Sequence, residues 1–361
     1  MTRAARPLRR WLHGLSVLVA LLAAAGCGRS AGPAPFSGPT MGTTYHVTVP
    51  AADTPARREV VQAAIDTVLG EVDRTLSTYR DDSELARLNR DASRYWINVS
   101  PELWQVLQQA RQVSLATDGA FDITVAPLLD AWGFGAANTR PGTVFVPPRP
   151  AQIEQALRAI GYGHLELRDT TAPAVRKAVP GMRLTVDGIA PGHAVDRIAQ
   201  ALDALRYGDY IVEIGGEVRA RGERPGGGAW RIAVEAPRAL AREPLVGLRL
   251  RDMAVSTSGD YRDARVDAAG RAYSHTLDPR TGRPVEGALT SVTVLDPLAA
   301  QADAYATALT VMGTEPGLRW AAAHGVPALF VERRDDGNGW RLRPSPAFAA
   351  WIEPGGLPDS L

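Results

Sequence analysis

TSGDYRD (257–263), SHTLDPRTGRPV (274–285) and ADAYATALTVMG (302–313) carry most of the information in this chain. The third segment predicts a helix over 303–312 that opens on Ala302-Asp303. Thr307 follows Asp303 by one helical turn, so a carboxylate and a hydroxyl share a face. Hard oxygen donors stacked this way suit Mg2+. His275, in the second segment, is the general-base candidate of the region. A cation for phosphates beside a base for a hydroxyl points to phosphoryl or nucleotidyl transfer. Each feature alone has an ordinary reading too: an exposed Asp at a helix N-terminus, a helical Thr, a His hydrogen-bonded near a turn.

Outward from these segments, the pattern alternates between the two regular periods. TTYHVTV (43–49) predicts a first strand. Val60, Ala64, Val68, Val72 and Leu76 space a helix over 57–76. Ser83 caps a short helix to Asn89, and Ser100-Pro101 opens another that stops at Asp118-Gly119. Further helices are predicted at 123–132, with Pro127 as its start or a break, and at 151–160, 191–205 and 316–324. Strands are predicted at 165–167, 183–186, 209–216, 230–236, 245–250, 253–256, 273–277, 289–295, 328–332 and 339–342. Residues 136–150 read as a Pro-rich surface loop, 220–229 as a Gly-rich hairpin connection and Gly215-Gly216 as a tight strand exit. No regular βαβ repeat emerges. The pattern predicts an α+β fold, one interleaved domain of mixed and antiparallel sheets with packed helices.

The chain has 361 residues, 45% hydrophobic and 22% charged, with a formal net charge of +1. Near-neutral charge argues against nucleic acid as the main partner. Lys177 is the lone lysine among mostly Arg cations. The first residues stand apart from the fold. Arg3, Arg6, Arg9 and Arg10 precede an apolar run from Leu15 to Ala25 that ends in LLAAAGC. This is the pattern of a signal peptide, and its small-small-Cys ending resembles a bacterial lipobox. Cleavage before Cys27 would leave that residue diacylated; an ordinary signal peptide with an incidental cysteine is the alternative. Arg9-Arg10 matches a twin-arginine signal only weakly. Cys27 is the single cysteine, so no intrachain disulfide or cysteine-based metal site can form. Residues 28–37 (GRSAGPAPFS) read as a flexible tether. The expected place is outside the cell's cytoplasm, lipid-anchored on the periplasmic side of the inner membrane.

Several motifs converge: GPTMGTTYHVTV (38–49), TDGAFDITVAPLLDAWGFG (117–135), DGIAPGHAVDRIAQAL (187–202), IVEIGGEVRARG (211–222) and the segments 256–285 and 302–313. Together, and in this order, they resemble the ApbE family. The resemblance implies an ApbE-like, T-fold-like domain over 38–350, between a signal peptide (1–26) with its lipidated tether (27–37) and a C-terminal tail (351–361). It implies FAD:protein FMN transferase chemistry: FAD is split, FMN is attached through its phosphate to a Thr or Ser hydroxyl of a client flavoprotein, and AMP leaves. Carried over residue by residue, Asp303, Thr307 and the carbonyl of Gly188 match the family's Mg2+ ligands, and His275 its catalytic histidine. Met41, Tyr79, Ala120, Phe121 and Asp122 match positions lining the FAD site, although Met41 and Phe121 would serve equally as core, and Asp122 as a helix N-cap. Thr257, Ser258 and Gly259 suit phosphate binding, or a strand-end turn; Leu277 lies in the turn held by DPRTG.

One loop departs from the family pattern Asp-Leu-Gly-Gly-Ile-Ala-Lys-Gly-Tyr. Here Thr185, Pro191 and His193 replace its Asp, Lys and Tyr, and Asp187 lies two residues from the usual acid. Asp187 and Pro191 are therefore expected at the FAD site with altered contacts. Two other activities compete with transfer: an FAD pyrophosphatase that releases FMN and AMP, and a lipoprotein that binds FAD without chemistry. No acceptor of the family's Ser-Gly-Ala-Thr type is evident in the chain itself.

Overall fold

A computed structural model describes residues 34–135, 145–238, 243–259, 264–334 and 339–355. The signal peptide, Cys27, most of the tether and much of the 136–150 loop lie outside the described residues. The fold is organised by one eight-stranded sheet. In chain order its strands are β1 (Phe36–Thr40), β2 (Thr43–Thr48), β3 (Tyr210–Ile214), β4 (Glu217–Arg221), β5 (Met253–Gly259), β6 (Leu289–Asp296), β7 (Ala328–Arg333) and β8 (Trp340–Pro344). Each pairs antiparallel with the one before it. The sheet is therefore a meander, and the α-helices are inserted between its strands. Met41-Gly42 turns β1 into β2, and Gly215-Gly216 turns β3 into β4; all four residues have positive φ, as a tight two-residue hairpin requires.

The long insertion between β2 and β3 carries α1 (Pro55–Leu76), α2 (Glu84–Arg90), α3 (Pro101–Ala116), α4 (Ala126–Ala131), α5 (Pro150–Leu157) and α6 (Ala190–Ala204). Between β6 and β7 lie α7 (Ala299–Met312) and α8 (Thr314–His324). Thr54, Ser83 and Ser100 cap α1, α2 and α3 by accepting backbone N–H groups from Arg57, Ala86 and Leu103. One sheet face (Val47, Tyr210, Val212, Ile214) packs on Ile65 of α1, Leu103 of α3, Ile198 of α6 and Ala304 of α7. The other face (Val218, Val255, Leu295, Val331) is covered by the antiparallel pair Trp230–Glu235 and Pro244–Leu250 and by Phe348 of a C-terminal 3-10 turn.

The structure corrects several boundaries. Among the described residues a strand already starts at Phe36, inside the expected tether; Phe36 is buried against the core and its strand pairs with β2. The expected tail is packed through residue 353, where the Glu353 amide bonds the Gly247 carbonyl. Residues 217–221, outside the predicted strands, form β4. Ala174–Lys177 forms the centre of a small three-stranded sheet that was also not predicted. The strand expected at 183–186 does not form; only an isolated bridge joins Arg183 to Val125. Leu184 pairs instead with the side chain of Asn89, which both donates to and accepts from it, while the Thr185 amide donates to the Ile123 carbonyl. The helix expected from Ile123 starts at Ala126, since the Asp122 carboxylate draws the Thr124 amide and hydroxyl into a turn. The strand expected at 273–277 breaks into Ala272–Tyr273 and Leu277–Asp278, as the Ser274 hydroxyl accepts the Thr276 amide between them.

α7 is the most consequential difference. It starts at Ala299, a full turn before the predicted opening, so Asp303 lies inside the helix and is buried. Leu298 makes no side-chain cap there. The first amides of α7 are satisfied from a neighbouring helix, by Asp196 of α6, a signal that no local reading of 296–303 contains.

Candidate active site

A cleft of ≈ 740 Å³ opens where the insertions meet the sheet. Five segments build its walls: the loop before α4, the loop before α6, the adjoining ends of β4 and β5, the 275–279 turn and one face of α7. Ala120, Phe121 and Asp122 come from the first of these, and Asp187 and Gly188 from the second. Thr257, Ser258 and Gly259 close it from β5, His275 and Leu277 from the turn, and Tyr79 from its exposed rim. Asp303 and Thr307 face into it from α7. Nearly all the residues singled out by sequence thus share one space.

Two do not. Met41 sits in the β1–β2 hairpin at φ +48, with its side chain against the main core. Pro191 lies in the first turn of α6, which packs on the start of α7, away from the cleft wall. A third residue changes meaning. Asp122 lines the cleft, but its oxygens accept from Thr124 and from the Tyr162 amide. It shapes the loop, and burial holds its carboxyl above the ordinary range despite those bonds. Glu217, Arg265 and Phe134, which no motif singles out, also line the cleft. Arg265 places its guanidinium 5.4 Å from the Phe134 ring centroid. Glu217 follows the Gly-Gly turn within IVEIGGEVRARG, and its acid character there was the available signal.

The electrostatics centre on α7. Asp303 accepts the Gly192 amide at 3.2 Å. Burial raises its pKa above the ordinary carboxylate value, and the Asp187 carboxylate adds to the effect; the Gly192 bond opposes it. Burial likewise raises Glu217 well above its ordinary value, with the charges of Asp303 and Glu213 contributing. In both, burial is the first cause and a neighbouring carboxylate adds to it. Gly188 brings its backbone down onto α7: a Cβ there would lie 3.0 Å from Thr307 Oγ1 and 3.3 Å from Phe121 Cε2. The Asp303 carboxylate and Thr307 hydroxyl, with the backbone of Gly188 packed on Thr307, offer hard oxygen donors of the kind Mg2+ takes. Among the described residues no cluster of three or more His, Cys, Asp or Glu could hold a metal ion. A cation here would draw its remaining ligands from water and substrate phosphate, as Mg2+ commonly does.

The ApbE family model matches residues 41–330. The chain belongs to the ApbE family. A Vibrio cholerae protein named FAD:protein FMN transferase is 39% identical over 91% of this chain and 96% of its own length. A Haemophilus influenzae protein of the same name is 34% identical over 96% and 99%. Among solved structures, the flavin transferase ApbE from Vibrio cholerae superposes with a TM-score of 0.78 at 37% identity, covering 88% of this chain and 98% of that one. The apo flavinyl transferase ApbE of Pseudomonas stutzeri gives 0.77 at 39% identity, covering 88% and 95%. Of the departures from the ApbE pattern, only Thr185 and Asp187 stand at the cleft. His193 is buried between helices, with Nε2 3.3 Å from Glu102 Oε1, beside the Arg197–Glu102 ion pair.

Proposed function

We propose that this chain is an FAD:protein FMN transferase that uses Mg2+, modifies a Thr or Ser hydroxyl of an exported flavoprotein and releases AMP. The observation that supports this reading is the shared cleft, where the Asp303–Thr307 face of α7 and His275 line the same cavity. Bound at the oxygen donors, Mg2+ would neutralise pyrophosphate charge and stabilise the departing phosphate. His275 accepts the proton of the acceptor hydroxyl as its oxygen bonds to the phosphorus of the FMN half. The pyrophosphate P–O bond breaks and AMP departs with the bridging oxygen. Phe121 and Leu277 supply apolar wall for a flat ring. Thr257 and Ser258 offer hydroxyls to phosphate oxygens.

Anchoring through Cys27 on the periplasmic side of the inner membrane would place this cleft beside exported clients. The non-catalytic alternative drew its motive from the altered 185–193 loop, and two of the three replacements, Pro191 and His193, stand outside the cleft. The test is direct. The purified full chain is mixed with FAD, Mg2+ and a client domain carrying a Ser-Gly-Ala-Thr type acceptor, and the client is weighed by mass spectrometry. The expected result is a gain of one FMN, abolished by chelation. Free FMN and AMP with or without client, and no adduct, would establish the pyrophosphatase instead. FAD binding with no product would establish the carrier.

A further inference from the structure

Asp196 lies midway along α6, and the proposed chemistry gives it no part. It is buried, yet its carboxylate has a full set of partners. Oδ1 accepts the backbone N–H of Ala299 and Oδ2 that of Ala300, both at 3.0 Å. Arg219 of β4 pairs with the same carboxylate. Ala299 and Ala300 are the first two residues of α7. A side chain from one helix therefore does for another what an N-cap residue ordinarily does locally, and its negative charge faces the positive end of the α7 dipole.

The face of α7 that it holds is the one the reaction needs. Ala299, Asp303 and Thr307 follow at intervals of four residues, so they stack along one side of the helix. One turn before Asp196, Gly192 makes a second tie on the same side, donating its N–H to Asp303 Oδ2 at 3.2 Å. The helices touch so closely here that a Cβ on Gly192 would lie 2.4 Å from the Ala299 carbonyl oxygen. Gly188, just before α6, leans on Thr307. We infer that Asp196 is a positioning residue for the cation-binding donor set. It locks the register of α7 against the 188–192 segment, so that the Gly188 carbonyl, Asp303 and Thr307 converge. This inference rests on the reading of Asp303 and Thr307 as cation ligands.

A carboxylate is required because both oxygens accept. Asparagine keeps one acceptor and turns an NH2 group towards an amide N–H. The test uses the full chain with Mn2+ as probe, bound metal being read from loss of the free-ion spin resonance signal. The Mg2+ concentration for half-maximal FMN transfer and the KM for FAD are measured alongside. Asp196→Asn is expected to weaken Mn2+ binding, and to raise the Mg2+ requirement, by about tenfold, the loss typical of a lost outer-shell partner. KM for FAD is expected to stay within about twofold, as for a change that spares uniform substrate binding. Ser100→Ala, which removes the cap of α3, serves as the control and leaves the metal readouts at wild-type values. A drop in thermal midpoint for Asp196→Asn with unchanged Mn2+ binding and Mg2+ dependence would reduce Asp196 to a plain structural cap and overturn the inference. Asp196→Ala should exceed the Asn effect; if it does not fold, the Asn variant decides. If the wild type itself neither binds Mn2+ nor transfers FMN, the ligand reading falls, and the inference with it.

Discussion

Asp196 and Asp303 sit on adjoining helices at 5% and 7% exposure, and their surroundings are opposite. Asp196 has two amides and a guanidinium around it. Asp303 has the Gly192 amide, with the charges of Asp187 and Glu217 bearing on it. A buried charge is costly unless matched. The matched carboxylate closes a helix junction, and the unmatched one leaves a deficit that a divalent cation can fill. Equal burial therefore says little about role; the balance of partners separates architecture from chemistry.

The strongest way to break this contrast is to remove the unmatched side. Asp303→Ala and His275→Ala are each expected to lower FMN transfer by at least about 1000-fold, within the range of lost metal and general-base catalysis. Neither should lower the thermal midpoint by much; retained transfer in the Asp303 variant would end the cation reading. Next in size is the contact that brings the two regions together. Gly192→Ala drives a methyl into the Ala299 backbone, and overpacking of this kind costs about 3 kcal/mol, to be read from urea midpoints together with loss of transfer.

A third prediction sharpens the contrast by pH. Burial and neighbouring acids raise the folded-state pKa of Asp303 above its ordinary 3.8. The folded protein then holds a proton that the unfolded chain releases, so stability falls as pH rises from about 4 towards the folded-state value and stays low above it. Asp303→Asn removes that loss. Its metal-free form should melt about 3 °C above wild type at pH 8, and the gain should vanish near pH 4, as followed by calorimetry. An equal gain at both pH values would mean the carboxylate charge is not the cause. The smallest effect belongs to the local caps: Ser100→Ala should cost about 1 kcal/mol and leave transfer unchanged.

The residues explain what could be read in advance. Ser83 and Ser100 announce their helices because a cap and the amide it serves lie three residues apart. Asp303 and Thr307 were visible as a pair for the same reason. β4 shows where such reading ends. EVRAR alternates as a half-solvated strand would, yet Arg219 meets Asp196 and the Glu217 carboxyl feels Asp303. Its polar face is covered by α6 and α7, and a period of two cannot say what covers a face. Met41 and Pro191 fit a motif but not the cleft, since sequence position fixes neighbours along the chain and leaves direction to packing.

By itself the sequence determined the helix starts at the Ser caps, the alternating strands and the spacing that puts the Asp303 carboxylate and the Thr307 hydroxyl on one helical face. These depend on interactions within a turn or two of chain. Only the tertiary structure decided that α7 begins at Ala299, that Asp196 rather than a local residue caps it, and that Glu217 joins Asp303 in the cleft. Those outcomes depend on groups about a hundred residues apart, brought together only when the sheet and its inserted helices close around one core.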